Sequence, residues 1–370
     1  MIEQQHKVIR KIFLVFSECD NSPQLLSIYK KCKQEIDSVK VLLILNPGTQ
    51  LEKDLKEIGA SFQRLAPTTK WLFWMYSMNI FYELLINRVE IVFMSGQSAT
   101  ITTLPAAVFA RIPRRIFIRH HADFHHSRKM KIGYLADLIS SRMATTIIAV
   151  SNLVQDILIN TEKVPRKKVK VISNGFHVSD FLKVRERSKL NERQVTIGTV
   201  GRFTHLKGLQ NVAEAFVELA ETNSDVHLIM LGAPADETSN IKQILSKTDS
   251  SRYELLEKFH SMPDFYAKLD ILVHAPIGPF KEAFGLVYLE ALAAGCTCLF
   301  TKSGVLFGDT SFDGYYELAE FQNTESILKN LTKLLSPEIS NSKTYAPSNL
   351  FTPYTIENMV NEYWRALQDA

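Results

Sequence analysis

A chain of 370 residues, 46% hydrophobic and 22% charged, is too long for one ordinary core and has the composition of a soluble globular protein of two domains. The net charge of +4 is a mild excess, concentrated in "RIPRRIFIR" (111–119) and "KVPRKKVKV" (163–171). These runs read as solvated strand edges, with contact to an anionic membrane surface as the sharper alternative; no recognisable motif supports nucleic-acid binding.

Read from the start, "KIFLVF" (11–16), "VKVLLIL" (39–45), "VEIVFMS" (89–95), "RIFIRH" (115–120), "TTIIAVS" (145–151) and "KVKVIS" (168–173) have the pattern of buried strands. Stretches 22–37, 51–60, 70–88 and 130–143 between them are long enough for helices, giving the βαβ rhythm of a doubly wound parallel sheet. The aromatic-rich "KWLFWMYSMNIFYELLINRVE" (70–90) invites a membrane-inserting reading, but its place before a strand favours a crossover helix packed on a core. A charged, strand-poor segment (178–194) then interrupts the pattern, and the rhythm restarts with "VTIGTVGRF" (195–203), a helix at 208–222 and "VHLIMLG" (226–232). "LDILVHAP" (269–276), a helix at about 285–294 and "CTCLFT" (296–301) continue it.

The expected organisation is therefore a first Rossmann-like domain over 1–178, a linker over 179–194 and a second Rossmann-like domain over 195–353. The apolar stripe of Ile356, Met359, Val360, Tyr363, Trp364 and Leu367 marks a terminal helix, 354–370, packed back on the first domain. Two such domains would face each other across a cleft at the carboxyl ends of their strands. Apolar runs are far shorter than the ~20 residues of a membrane helix, and the start lacks a secretory apolar segment. The four cysteines form no CxxC pair, so a reducing cytoplasm is the expected home.

Three constellations carry chemistry. In "GTVGRFTHLKGL" (198–209) a strand ends near Val200, Gly201 permits close approach, and Arg202 and Lys207 place two cations before a helix N-terminus suited to phosphate oxygens. In "KEAFGLVYLEALAAGC" (281–296), Glu282 lies in the loop before a helix and Glu290 lies eight residues on, about 80° away around an ideal helix. Glu290 sits among Val287, Leu289, Ala291, Leu292 and Ala293, company in which a carboxylate needs a partner. The third, "RHHADFHH" (119–126), looks like a metal site, but HExxH and HxH patterns and a completing carboxylate or cysteine set are missing. A metal hydrolase built on it is the weaker alternative, and His125 and His126 read as surface histidines.

Together, "VGRFTHLKG" (200–208), "EAFGLVYLE" (282–290, an E-x7-E signature) and "VISNGFHVSDF" (171–181) resemble the retaining glycosyltransferases of family 4, which have the GT-B fold. The resemblance runs from about residue 90 onward. It implies a metal-independent transfer of a sugar, with retention, from a nucleotide-diphosphate donor, expected to be UDP-linked. The acceptor would be a glycan or lipid-linked glycan of a bacterial surface polysaccharide, modified at the inner face of the cytoplasmic membrane. No cofactor or metal beyond the donor substrate is implied.

By the same resemblance, Arg202 and Lys207 would bind the diphosphate, Glu282 the transferred sugar, and Glu290 the ribose. Gly201 and the backbone of Phe284, Gly285 and Leu286 would line the donor, with the base near Phe259 and His260. His120 or His121 would lie near the sugar. Two departures stand out: "FSECDNSP" (16–23) has no glycine where the family has a Gly-Gly turn, and "KSGVLFGDT" (302–310) replaces a Gly-Gly-x-x-Glu segment. A GT-B pair that binds a nucleotide or glycan without turnover, as part of an assembly complex, is the alternative from another class.

Overall fold

The computed structural model describes residues 9–19, 22–67, 72–122, 131–186, 194–336 and 344–369. The chain divides into two α/β units, Met1–Phe176 with Ile356–Ala370, and His177–Thr355.

The first unit is built on a seven-stranded sheet of β1 (Lys11–Ser17), β2 (Ser38–Ile44), β3 (Phe62–Leu65), β4 (Ile91–Ser95), β5 (Arg114–Arg119), β6 (Thr146–Ala149) and β7 (Val169–Val171). All pairings are parallel and the spatial order is β3-β2-β1-β4-β5-β6-β7. Strand β1 is continuously apolar because helices cover both its faces: Ile12 to Phe16 are buried, with Leu14 in register with Val41 and Phe93. Helices Leu72–Asn87, Gln97–Phe109 and Lys131–Met143 pack in that order on one face. Helix Pro23–Glu35, started by Pro23 and capped by Ser22 Oγ accepting from Leu25 N, packs with Ile356–Asp369. Right-handed crossovers put that pair on the opposite face, because the strand order reverses between β1 and β4.

The second unit has six parallel strands: β8 (Val195–Val200), β9 (Val226–Leu231), β10 (Tyr253–Leu256), β11 (Ile271–His274), β12 (Thr297–Phe300) and β13 (Glu317–Leu318). Their order is β10-β9-β8-β11-β12-β13, reversing between β8 and β11. Helix Leu209–Thr222 buries Leu209, Val212, Phe216 and Leu219 against Leu228, Met230 and Val273. Each such side chain taken from water contributes about 1.5–3 kcal/mol.

One expectation changes. Part of the segment expected as a linker is the helix Val178–Glu186, which belongs to the second unit and packs on helices Met262–Ala267 and Leu286–Ala294. Val178, Phe181 and Val184 form its buried stripe, and Phe181 meets Tyr266 at 5.7 Å between ring centroids. The charges of Asp180, Lys183 and Arg185 hide that stripe in the sequence. Residues 187–193 lie outside the described residues.

Candidate functional site

In open parallel sheets ligands bind at the carboxyl ends of strands where the order reverses. In the second unit those ends are Val200–Gly201 on β8 and His274–Ala275 on β11. Gly201 N donates to Leu231 O at 2.9 Å and continues β8 briefly before the chain turns away. Arg202 is exposed, with no ion-pair partner among the described residues, and Phe203 is buried beneath it. A 3-10 turn, His205–Lys207, brings the chain to Gly208, whose φ of +65° starts helix Leu209–Thr222. A Cβ at Gly208 would lie 2.0 Å from the Ala275 carbonyl oxygen, so glycine is what lets this loop lie against the end of β11.

That approach brings two distant parts of the sequence together. Lys207 Nζ donates to Glu282 Oε2 at 2.5 Å, and His274 Nε2 lies 3.3 Å from the same oxygen. Burial alone would raise the Glu282 pKa. The His274 hydrogen bond and the Lys207 charge outweigh it and hold the carboxyl down at about 2. Against an ionised carboxylate His274 can only donate, which fixes its Nε2–H tautomer. The His274 ring is fully buried, stands edge-on to Tyr288 with centroids 4.7 Å apart, and has its pKa lowered by burial against the opposing pull of Glu282.

Glu282 is followed by buried Phe284 and by Gly285, whose φ is +76°. A Cβ there would lie 2.7 Å from the Tyr288 ring and 2.8 Å from Glu282 Cγ. The glycine thus allows helix Leu286–Ala294 to begin directly behind the carboxylate, and it offers no side-chain cap to the first-turn N–H groups. The departing segment at 302–310 supports this turn: Val305 N donates to Phe284 O at 2.7 Å, and Ser303 Oγ donates to Pro279 O at 2.8 Å.

On the next turns of that helix, Leu289, Ala291, Leu292 and Ala293 are buried, and half-buried Glu290 accepts a 2.9 Å hydrogen bond from Tyr266 Oη. Burial pushes the Glu290 pKa up to about 7 despite that bond. The Tyr266 hydroxyl, from helix Met262–Ala267, is the partner that the carboxylate's apolar neighbours demand. Phe259 packs edge-on to Phe265 at 5.4 Å and lies under Lys268 Nζ at 5.3 Å; His260 is exposed.

In the first unit the order reverses between β1 and β4. Glu18 follows β1 at a φ of +57°, the backbone conformation a glycine turn would supply. Its carboxylate accepts from Gln97 N at 2.5 Å and from Ser98 N and Oγ at 3.0 and 2.6 Å. The N-terminus of helix Gln97–Phe109 is therefore occupied by a side-chain anion. Next to it, Ser95 Oγ at the end of β4 and His120 Nε2 after β5 share a 2.9 Å hydrogen bond.

His121 points elsewhere, with Nε2 3.5 Å from Asp137 Oδ1. Asp137 also receives buried Arg119 at 3.2 Å, and Arg119 binds Glu162 at 2.5 Å. Among the described residues no three His, Cys, Asp or Glu side chains group as a metal site; His125 and His126 lie outside them.

Lys207 and Glu282 are thus brought together, with Glu290 on the following helix. His120 and His121 are at the strand ends of the other unit, in different hydrogen-bond networks. Sequence reasoning missed His274, Tyr266, Glu18 and Ser95. His274 had one signal, a lone polar residue closing the apolar run "ILV".

Two family models match the chain: "Glycosyltransferase Family 4" over residues 38–180 and "Glycosyl transferases group 1" over 180–346. A lipopolysaccharide 1,2-N-acetylglucosaminetransferase of Salmonella typhimurium is 25% identical over 219 residues, 55% of this chain and 57% of that protein. An N-acetyl-alpha-D-glucosaminyl L-malate synthase of Bacillus anthracis is 22% identical over 355 residues, 85% of this chain and 91% of that protein. Among solved structures, Anabaena HepE in complex with UDP and glucose superposes with a TM-score of 0.78 at 16% identity, covering 97% of this chain and 100% of that one. At that identity the likeness shows the fold alone, GT-B.

Proposed function

Because the chain belongs to the family 4 glycosyltransferases, enzymes of the GT-B fold with relatives in lipopolysaccharide and polysaccharide synthesis, we propose that it transfers a sugar from a nucleoside-diphosphate donor, with retention and without a metal ion. The observation that carries this reading is the meeting of Lys207, Glu282 and His274 at the reversal point of the second sheet, directly before an uncapped helix N-terminus.

The chemistry follows from charge. Bond cleavage at the anomeric carbon leaves negative charge on the nucleoside diphosphate. Lys207, the exposed guanidinium of Arg202 and the N–H groups of Phe284, Gly285 and Leu286 would be donors for that charge. The cations do what a metal would otherwise do. Glu282, ionised across the physiological range, would accept hydrogen bonds from hydroxyls of the transferred sugar, and Glu290 would accept from the ribose. The acceptor would attack the face the diphosphate leaves, with that phosphate taking its proton. His120, hydrogen-bonded to Ser95, is the better first-unit candidate for the sugar, because His121 is engaged by Asp137.

Uridine is the proposed base, supported by the UDP in the Anabaena relative by fold. The proposed acceptor is a glycan or lipid-linked glycan, supported by the name of the Salmonella relative. A thermal-shift screen of nucleotide sugars followed by assay of nucleotide release tests the reading. A UDP-sugar should raise the melting temperature, turnover should survive EDTA, and NMR should show the donor's anomeric configuration kept. Stabilisation by no nucleotide sugar, or turnover abolished by EDTA, would refute it.

A further inference from the structure

Helix Leu72–Asn87 is apolar on both faces. Tyr76, Ile80 and Leu84 are buried, yet Trp74, Met78, Tyr82, Leu85 and Ile86 are exposed, Trp74 and Ile86 each by 72%. At about 100° per residue the exposed set spans an arc of roughly 120° opposite the buried one. The two helices beside it extend this surface. Phe109 closes helix Gln97–Phe109 with 77% of its surface exposed, and Ile132, Leu135 and Ile139 line one face of Lys131–Met143 at spacings of three and four.

Of the 14 exposed large hydrophobic residues described, 11 lie on these three helices, which pack side by side on one face of the first unit's sheet. Scattered exposed apolar residues need no explanation, but a concentration of this kind does.

The charges around it say what covers it. Arg88, Arg111 and Arg142 are exposed at the C-terminal ends of the three helices, and Lys131 is exposed at the start of the third. Arg166 and Lys167, also exposed, precede β7 at that end of the sheet. Their neighbour Lys168 donates to the carbonyls of Arg142 and Ala144 at 3.0 and 2.8 Å and ties the basic turn to the helix end. The three helices contain only two acidic residues: Glu83 is held by Lys40 at 3.2 Å, and Asp137 is buried on Arg119. Among the described residues this apolar face is rimmed by cations and has no exposed carboxylate on its helices, an arrangement that repels a second copy of itself.

We propose that this face docks on an anionic phospholipid bilayer. Trp74, Ile86, Phe109 and Ile132 enter the headgroup–acyl boundary, and the arginines and lysines meet the lipid phosphates. At 16 residues, about 24 Å, helix Leu72–Asn87 lies in the interface rather than across it; among the described residues no helix is long and apolar enough to cross a membrane. The docking requires neither donor nor turnover, so it stands or falls apart from the sugar-transfer reading.

The test is co-sedimentation of the full chain with phosphatidylglycerol–phosphatidylcholine vesicles and with phosphatidylcholine alone. The chain should bind the anionic vesicles, release with salt, and bind at least about tenfold more weakly as Trp74→Ser/Ile86→Ser. Arg111→Glu/Arg142→Glu should lose the preference for anionic lipid. All four positions are exposed, and circular dichroism checks that the folds are retained. Three results would overturn the proposal: no binding to either vesicle, equal binding by Trp74→Ser/Ile86→Ser, or a dimer in sedimentation velocity that this variant dissociates.

Discussion

Lys207 and Glu282 stand 75 residues apart in the chain and share one oxygen-to-nitrogen contact of 2.5 Å. A half-buried pair of this kind is costly to break from one side, because the remaining charge is left without compensation. Lys207→Ala should abolish sugar transfer and donor hydrolysis and lower stability by about 2 kcal/mol. Lys207→Ala/Glu282→Gln should recover much of that stability but none of the activity. Denaturant unfolding of the two variants beside an activity assay reads both; near-normal turnover in Lys207→Ala would remove its catalytic role.

His274 gives a second expectation. It donates to the oxygen that Lys207 uses, so it holds Glu282 ionised and in place. His274→Leu should raise the Glu282 pKa and reduce kcat by tenfold or more. His274→Asn, which keeps a donor, should retain part of the loss. A steady-state comparison of kcat and KM at several pH values checks it: an unchanged pH profile in His274→Leu would mean the ring only fills space.

The Glu290 pKa, raised to about 7 by burial, has two consequences of defined sign. The folded state holds this proton more tightly than the unfolded chain, so this group's contribution to stability declines as pH rises from its ordinary value of 4.5 through about 7. Nucleotide binding needs the ionised form to accept ribose hydroxyls, so affinity should fall about tenfold between pH 8 and pH 6. Calorimetric titration at both values, repeated with Glu290→Gln, is decisive; a wild-type affinity indifferent to pH would contradict the ribose role.

Glu18 supplies the N-terminal cap of a helix that begins 79 residues later. Glu18→Ala should cost about 1 kcal/mol of stability, from loss of charge-assisted bonds at a helix start. The melting temperature should drop by a few degrees. No measurable change would show that the exposed carboxylate is replaced by water without loss.

These residues mark where the sequence was legible. The alternation of apolar runs and longer segments announced both parallel sheets, because strands covered on two faces are apolar throughout. The grouping of Lys207 with Glu282 could be read because glycines, cations and carboxylates followed strand ends in order. Strands β3 (FQRL), β10 (YELL) and β13 (EL) lie at sheet edges, where no residue is fully buried and polar residues enter, so they show no apolar run. His274 looked like any histidine at the end of a buried strand, and Tyr266 meets Glu290 from 24 positions away. Glu18 could not be read as a cap because its helix is distant in sequence, and it takes a glycine-like conformation without being glycine.

Helix Ile356–Asp369 has a further consequence. Met359 and Tyr363 are buried in the first unit, Tyr363 edge-on to Phe93 of β4 at 5.8 Å, and Ile356 N donates to Phe176 O. The second unit, His177–Thr355, is thus an insertion within the first. During synthesis, all of the inserted unit leaves the ribosome before the helix that closes the earlier one. The first unit therefore waits, with Phe93 uncovered on that side, while its guest can already fold.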